Sequence, residues 1–173
     1  KLRCVSRMES LDIILEKSSK KYSDDEKHTF AEKKNKLYQQ YLNQMTIDDL
    51  PIEVKETLKE LKNKGFKLAI GSSSKNTMLI LKQIGLETFF DAISDGTMIE
   101  YSKPHPEVFI KAANLLSVNY KNCLVVEDAV AGCIAAKSAS MNVAAISSAY
   151  GCVFADYHLN AINDLEIIVR KEN

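Results

Sequence analysis

Apolar positions follow two patterns along the chain, and the change falls near residue 48. Before it, they recur at helical spacing. Met8, Leu11, Ile14 and Leu15 share one face of a helix expected over residues 6–20. Ser23, followed by Asp24, Asp25 and Glu26, supplies an N-cap with acids in the first turn. A second helix is therefore expected to run to about residue 44, burying Phe30, Leu37, Tyr41 and Met45. Two helices make a poor core alone and call for more helix or a partner surface.

Beyond Asp49 short apolar runs alternate with helical stripes. Pro51 opens a helix with Val54, Leu58 and Leu61 on one side, and Gly65 stops it. A strand is expected at 66–70, a helix at 76–84 stopped by Gly85, and a short strand at 90–94. A helix follows at 106–117, with Phe109, Ala112, Ala113 and Leu116 inward. Then come a strand at 123–126, a small-residue helix at 129–138, a strand at 143–146 and a last helix or strand at 164–171. This alternation predicts βαβ units, and so an α/β fold with a parallel sheet. Such sheets bind ligands at the carboxyl ends of their strands.

Composition narrows the function classes. The length of 173 residues allows one domain, or one with a small insert, and 46% apolar residues supply a core. Lys and Arg number 23, and so do Asp and Glu, which argues against a nucleic-acid binder acting through bulk charge. A net charge of zero also favours self-association near pH 7, so a monomer or weak homo-oligomer is expected. No uncharged apolar run reaches the roughly 18 residues of a membrane span. The first residues, Lys1 to Val5, carry neither Met nor a signal-peptide core, and the protein reads as cytoplasmic. Cys4, Cys123, Cys133 and Cys152 form no CxxC pair, and His28, His105 and His158 are scattered, which argues against zinc and against a disulfide scaffold.

The residues at the strand ends carry the chemistry. After Ile70 comes Gly71-Ser72-Ser73-Ser74-Lys75-Asn76, leading into a helix. Hydroxyls, free N–H groups and a lysine suit a phosphate, and a plain helix cap is the other reading. After Val126 comes Glu127-Asp128. Two adjacent carboxylates need an offset, and Mg²⁺, which takes oxygen ligands and keeps water and phosphate, is the natural one. The alternative has Asp128 capping the next helix and Glu127 in solvent. Lys103 lies between Ser102 and Pro104, which restricts its backbone. Aimed at a strand-end pocket, one lysine contact at about 4 Å is worth about 4 kcal/mol before desolvation. Arg7 is a candidate bidentate phosphate clamp, and Lys34 has weaker standing. Ile93-Ser94-Asp95-Gly96-Thr97 imitates an Asp-x-Asp-Gly-Thr nucleophile motif, but Ile93 replaces the first Asp. Asp95-Gly96 reads as turn chemistry.

The order Ser72, Lys103, Glu127-Asp128 resembles the second, third and fourth motifs of the haloacid dehalogenase superfamily. Val5-Ser6-Arg7 with Ser10, the Ser74-Lys75-Asn76 run, Ser102-Lys103-Pro104 and Val126-Glu127-Asp128 are similar to the β-phosphoglucomutase family within it. The resemblance implies a Rossmann-like parallel core, residues 49–173, beneath a helical cap to which residues 1–48 belong. It implies interconversion of β-glucose 1-phosphate and glucose 6-phosphate through glucose 1,6-bisphosphate and an aspartyl-phosphate. Ser72 and Lys103 would hold the transferring phosphoryl, and Glu127 and Asp128 would bind Mg²⁺. Arg7, Ser74, Lys75 and Asn76 would grip the second phosphate, and Ser10 and Lys34 would contact the sugar. The family's leading Asp-x-Asp is not in this chain, and Cys4 stands where the family has a Gly. Lys1 is therefore expected to be an internal position of a longer protein, and the chain alone to be inactive. A sugar-phosphate phosphatase of the same superfamily, or a non-catalytic sugar-phosphate binder, are the competing expectations.

Overall fold

The computed structural model describes residues 7–171. The chain opens with helix α1 (Arg7–Leu15), shorter than its expected span. Residues 16–21 carry no apolar side chain, and Ser18 Oγ accepts the Lys20 N–H at 3.2 Å, a local turn that competes with the helix. Ser10 and Leu11 are its buried residues, while Ile14 is exposed.

Helix α2 (Asp24–Leu42) begins at the expected cap. Ser23 Oγ accepts the Glu26 N–H at 3.2 Å, and Glu26 Oε2 accepts the Ser23 N–H at 2.9 Å, a complete capping box. The buried face differs from the expected one. Leu37 and Tyr41 are 53% and 61% exposed, and Phe30 is also exposed, whereas Ala31 and Leu42 are buried. Positions 31, 35, 39 and 42 follow helical spacing, and the middle two are amides that bond to the rest of the molecule. Ala31, the two amides and Leu42 thus line the inner face, and Phe30, Leu37 and Tyr41 lie outside it. α1 packs on α2, with Lys27 Nζ 2.8 Å from Asp12 Oδ1.

Helix α3 (Ile52–Asn63) buries Thr57 and Leu61 and ends at Gly65, whose φ is 85°. There the Phe66 N–H bonds Leu61 O and the Gly65 N–H bonds Lys62 O, the paired bonds of a Schellman stop. The Phe66 N–H is thereby spent, so strand β1 is Ala69–Gly71 and does not start at 66. Helix α4 (Thr77–Gln83) ends the same way, at Gly85 with φ 73°.

All strand pairs are parallel, as the alternation requires. β1 pairs with β2 (Ala92–Ser94), Ala69 opposite Ala92. β3 (Leu124–Glu127) pairs with β4 (Asn142–Ile146), and β4 with β5 (Tyr157–Leu159). β5 has no counterpart in the sequence reading, because three residues are too few for a periodic signal. Helices α5 (Glu107–Leu116), α6 (Val130–Ser138) and α7 (Leu165–Lys171) complete the order.

β4 is buried on both faces, which explains its unbroken apolar run. Val143 and Ala145 join Val108, Phe109 and Ala113 of α5 and Cys133, Ala135 and Ala136 of α6 in the larger core. On the other face Ala144 meets Leu61, Leu159 and Leu165. No helix among the described residues is long and apolar enough to cross a membrane.

Candidate active site

The serine loop after β1 is tied down by its own hydroxyls. The Ser72 N–H bonds Ser94 O at 2.9 Å, extending the β1–β2 pairing. Ser72 Oγ accepts the Ser74 N–H at 3.1 Å, and Ser74 Oγ accepts the Asn76 N–H at 3.1 Å. A hydroxyl that accepts still has its own proton to give, so Ser72 and Ser74 retain donors for an anion. Lys75 is exposed at the loop's turn.

Asn76 occupies the N-cap position of α4 but does not cap it. Its amide, 8% exposed, turns toward α2. Oδ1 accepts from Gln39 Nε2 at 3.0 Å, and Nδ2 donates to Asn35 Oδ1 at 3.0 Å. Nothing in the sequence pointed to Asn35 or Gln39.

The turn after β2 supports this loop. Asp95 Oδ1 accepts from the Thr97 N–H at 2.9 Å and from Thr97 Oγ1 at 2.6 Å, the turn chemistry read from the sequence. The Gly96 N–H bonds Ser74 O at 3.1 Å. A Cβ at Gly96 would overlap the Ser73 carbonyl oxygen and come to 2.8 Å from Ser74 C, so only glycine lets the two backbones touch. This support is indistinguishable from an ordinary turn glycine in the sequence.

Lys103 is a buried lysine, 7% exposed, and not a solvated one. Its Nζ donates to Gly71 O at 3.1 Å and to the Glu127 carboxylate, and stands 4.5 Å from the centroid of the Phe109 ring. It therefore bridges the carboxyl ends of β1 and β3. An ammonium has three protons, and these two acceptors leave one for a ligand. The loop reaching Lys103 is anchored by Glu107, whose Oε2 accepts the Glu100 and Tyr101 N–H groups at 3.0 and 2.8 Å. Hydrogen bonding from Lys111, then from these backbone groups, holds the Glu107 carboxyl down at about 2.

Glu127 is the last residue of β3 and 6% exposed, so it does not face solvent. Lys103 offsets its charge. Its carboxylate is also packed against Gly132 of α6, where a Cβ would overlap its carboxyl carbon and both oxygens. Asp128 follows, exposed, one residue outside the N-cap position, which Ala129 fills. Among the described residues no group of three or more His, Cys, Asp or Glu is gathered to hold a metal. The pair at 127 and 128 nonetheless offers hard carboxylate oxygens beside a lysine, a donor set suited to Mg²⁺ with water and phosphate completing its shell.

The structure thus joins Ser72, Ser74 and Asn76 in one bonded loop, and Lys103 with Glu127 beside it. The Lys103 N–H, 3.5 Å from Ser73 Oγ, connects the two groups. Lys34 is exposed on α2 next to Asn35, and Ser10 is buried in α1. Arg7 is the first residue of α1, and its side chain lies outside the described residues, as do Val5 and Ser6. A cleft of about 470 Å³ is lined by Tyr101, Ser102, Pro104 and His105 of the Lys103 loop and by Ile134. It is separate from the bonded groups.

Residues 7–146 match the model of the haloacid dehalogenase-like hydrolase family. The chain is 34% identical over 169 residues to the beta-phosphoglucomutase of Bacillus subtilis, covering 96% of this chain and 75% of that protein. It is 32% identical over 119 residues to hexitol phosphatase B of Escherichia coli, covering 65% of this chain and 54% of that protein. The crystal structure of a beta-phosphoglucomutase from Clostridium difficile superposes with a TM-score of 0.90 at 36% identity, covering 99% of this chain and 78% of that one. The family match over residues 7–146 and the 34% identical relative, three quarters of which this chain covers, place this protein in the haloacid dehalogenase-like hydrolase family.

Proposed function

We propose that the protein is a Mg²⁺-dependent phosphotransferase that interconverts β-glucose 1-phosphate and glucose 6-phosphate. The observation that supports it most is Lys103, buried between Gly71 O and the Glu127 carboxylate with one proton unspent. Burying an ammonium is costly unless it is paired and hydrogen-bonded. Here the pairing fixes the charge at the mouth of the serine loop. The similarity to the B. subtilis beta-phosphoglucomutase, over 96% of this chain, supports a phosphorylated sugar as substrate.

In this reading Ser72 Oγ–H and the free Lys103 proton hold the transferring phosphoryl group. Donors already held by the protein stabilise charge on the phosphoryl oxygens without reorganising. Ser74, Lys75 and Asn76, with Arg7, grip the second phosphate of glucose 1,6-bisphosphate, so the sugar can bind in either orientation. Ser10 and Lys34 contact the sugar. Glu127 and Asp128 hold Mg²⁺, which neutralises phosphate charge when bound. The phosphoryl group passes from the bisphosphate to an aspartate carboxylate and then to the sugar monophosphate bound the other way round. That aspartate is not among the residues assigned here, and the 173-residue chain is expected to bind substrate without turning it over. Residues 1–48 act as a cap that excludes water over the core, residues 49–173.

The test is product identity. The native protein is given β-glucose 1-phosphate, Mg²⁺ and a trace of glucose 1,6-bisphosphate in a coupled assay. Glucose 6-phosphate supports the mutase. Free phosphate in its place moves the protein to the phosphatase reading, which the similarity to hexitol phosphatase B favours. Binding with neither product makes it a sugar-phosphate binder.

A further inference from the structure

The Asn76 amide is oriented from outside its own helix. An asparagine at an N-cap ordinarily turns its Oδ1 to the first N–H groups of the helix. Here the Asn76 side chain makes no cap bond, its backbone N–H goes to Ser74 Oγ, and its amide faces α2. Gln39 donates to its Oδ1 and Asn35 accepts from its Nδ2, each at 3.0 Å, with the amide almost fully buried. Both partners lie on α2, one helical turn apart, and both are more than 35 residues away in sequence.

We propose that Asn35 and Gln39 are positioning residues for anion binding at the Ser74–Asn76 loop. They set which end of the Asn76 amide is the donor and where its remaining proton is held. The proposal rests on the phosphate reading given above. Its physical basis is the polarity of the amide. With Oδ1 engaged by Gln39 and one Nδ2 proton engaged by Asn35, a second Nδ2 proton remains to be given to an anion. Turning the amide over would set oxygen against oxygen at Asn35 and N–H against N–H at Gln39. All three amides would have to reverse together, and each reversed contact would be lost with the helix.

The ladder's direction can be forced at equal charge. Asn35→Asp leaves residue 35 able only to accept, which keeps the present direction. Gln39→Glu leaves residue 39 able only to accept, which reverses it. Both add one negative charge to the same helix face, so their difference reads direction and not charge. The probe is glucose 6-phosphate with Mg²⁺, titrated calorimetrically into the 173-residue chain. Asn35→Asp is expected to bind within threefold of the parent chain, and Gln39→Glu at least tenfold more weakly. Gln39→Met, which removes the donor without adding charge, is the second variant should Gln39→Glu fail to fold, and is expected to weaken binding by severalfold. A parent chain that binds while the two charged variants bind alike, whether unchanged or equally weakened, overturns the inference and leaves the phosphate reading standing. A parent chain that does not bind glucose 6-phosphate overturns that reading, and the inference with it.

Discussion

The Glu127 carboxylate fills the space that a side chain at Gly132 would need. One residue closes β3 and the other lies in the first turn of α6, so the helix is shaped to hold the acid against Lys103.

This contact sets two effects against each other in Gly132→Ala. Helix propensity alone favours alanine by about 1 kcal/mol. Displacing the carboxylate from a buried ion pair costs about 3–5 kcal/mol if the pair is broken. The second term is larger, so chemical denaturation is expected to show a net loss of about 2 kcal/mol or more. A gain in stability would mean that the carboxylate moves aside freely and that the pair is not held from α6.

The same pair predicts a rescue. Lys103→Met leaves Glu127 buried and unpaired, and is expected to cost about 3–5 kcal/mol. Adding Glu127→Leu removes the orphaned charge, and the double variant is expected to be more stable than Lys103→Met alone. Urea unfolding of the parent, Lys103→Met, Glu127→Leu and the double variant checks this. Additive losses would contradict the coupling seen in the structure.

Gly96→Ala separates loop support from ligand contact. The new methyl group meets backbone at Ser73, Ser74 and Lys75, which cannot rotate away as a side chain can. Calorimetric binding of glucose 6-phosphate is expected to weaken at least tenfold, although Gly96 itself carries no group to bind it. Unchanged binding would show that the serine loop adjusts without cost.

Acid should loosen the approach to Lys103. Glu107 is held at about 2, below its ordinary 4.5, first by Lys111 and then by the Tyr101 and Glu100 N–H groups. A carboxyl depressed on folding stabilises the native contact above its unfolded value and loses that contribution as pH falls through the folded one. Between pH 4.5 and about 2 the Glu100 and Tyr101 amides are expected to gain hydrogen exchange, while Glu107→Gln shows no such titration. A flat profile in the parent chain would remove Glu107 as the anchor.

Much of the fold was legible because its signals are local. Ser23 with Glu26 marked the start of α2, and Gly65 and Gly85 marked helix ends through their positive φ. Strand starts were less legible. Phe66 is apolar, but its N–H belongs to the stop of α3, and no local pattern distinguishes that use from a strand. The buried face of α2 was misread for a related reason. Apolar periodicity picked out Phe30, Leu37 and Tyr41, whereas the contact uses Ala31, two amides and Leu42. At the site, position after a strand singled out Ser72, Lys103 and Glu127. That Lys103 offsets Glu127, 24 residues away, is a tertiary fact without a sequence signature.

The central claim is that Lys103 acts on the phosphoryl group and does not merely hold the fold. Lys103→Met, introduced into the native protein and assayed on protein shown to be folded, separates these roles, because it removes the ammonium and leaves the Glu127 and Asp128 carboxylates in place. The measurement is the rate of glucose 6-phosphate formation from β-glucose 1-phosphate with saturating Mg²⁺. The account predicts a folded protein whose rate falls by about 10²-fold or more, the scale of losing a held donor to developing charge. A folded Lys103→Met variant that keeps its rate within a few-fold of the parent would contradict it.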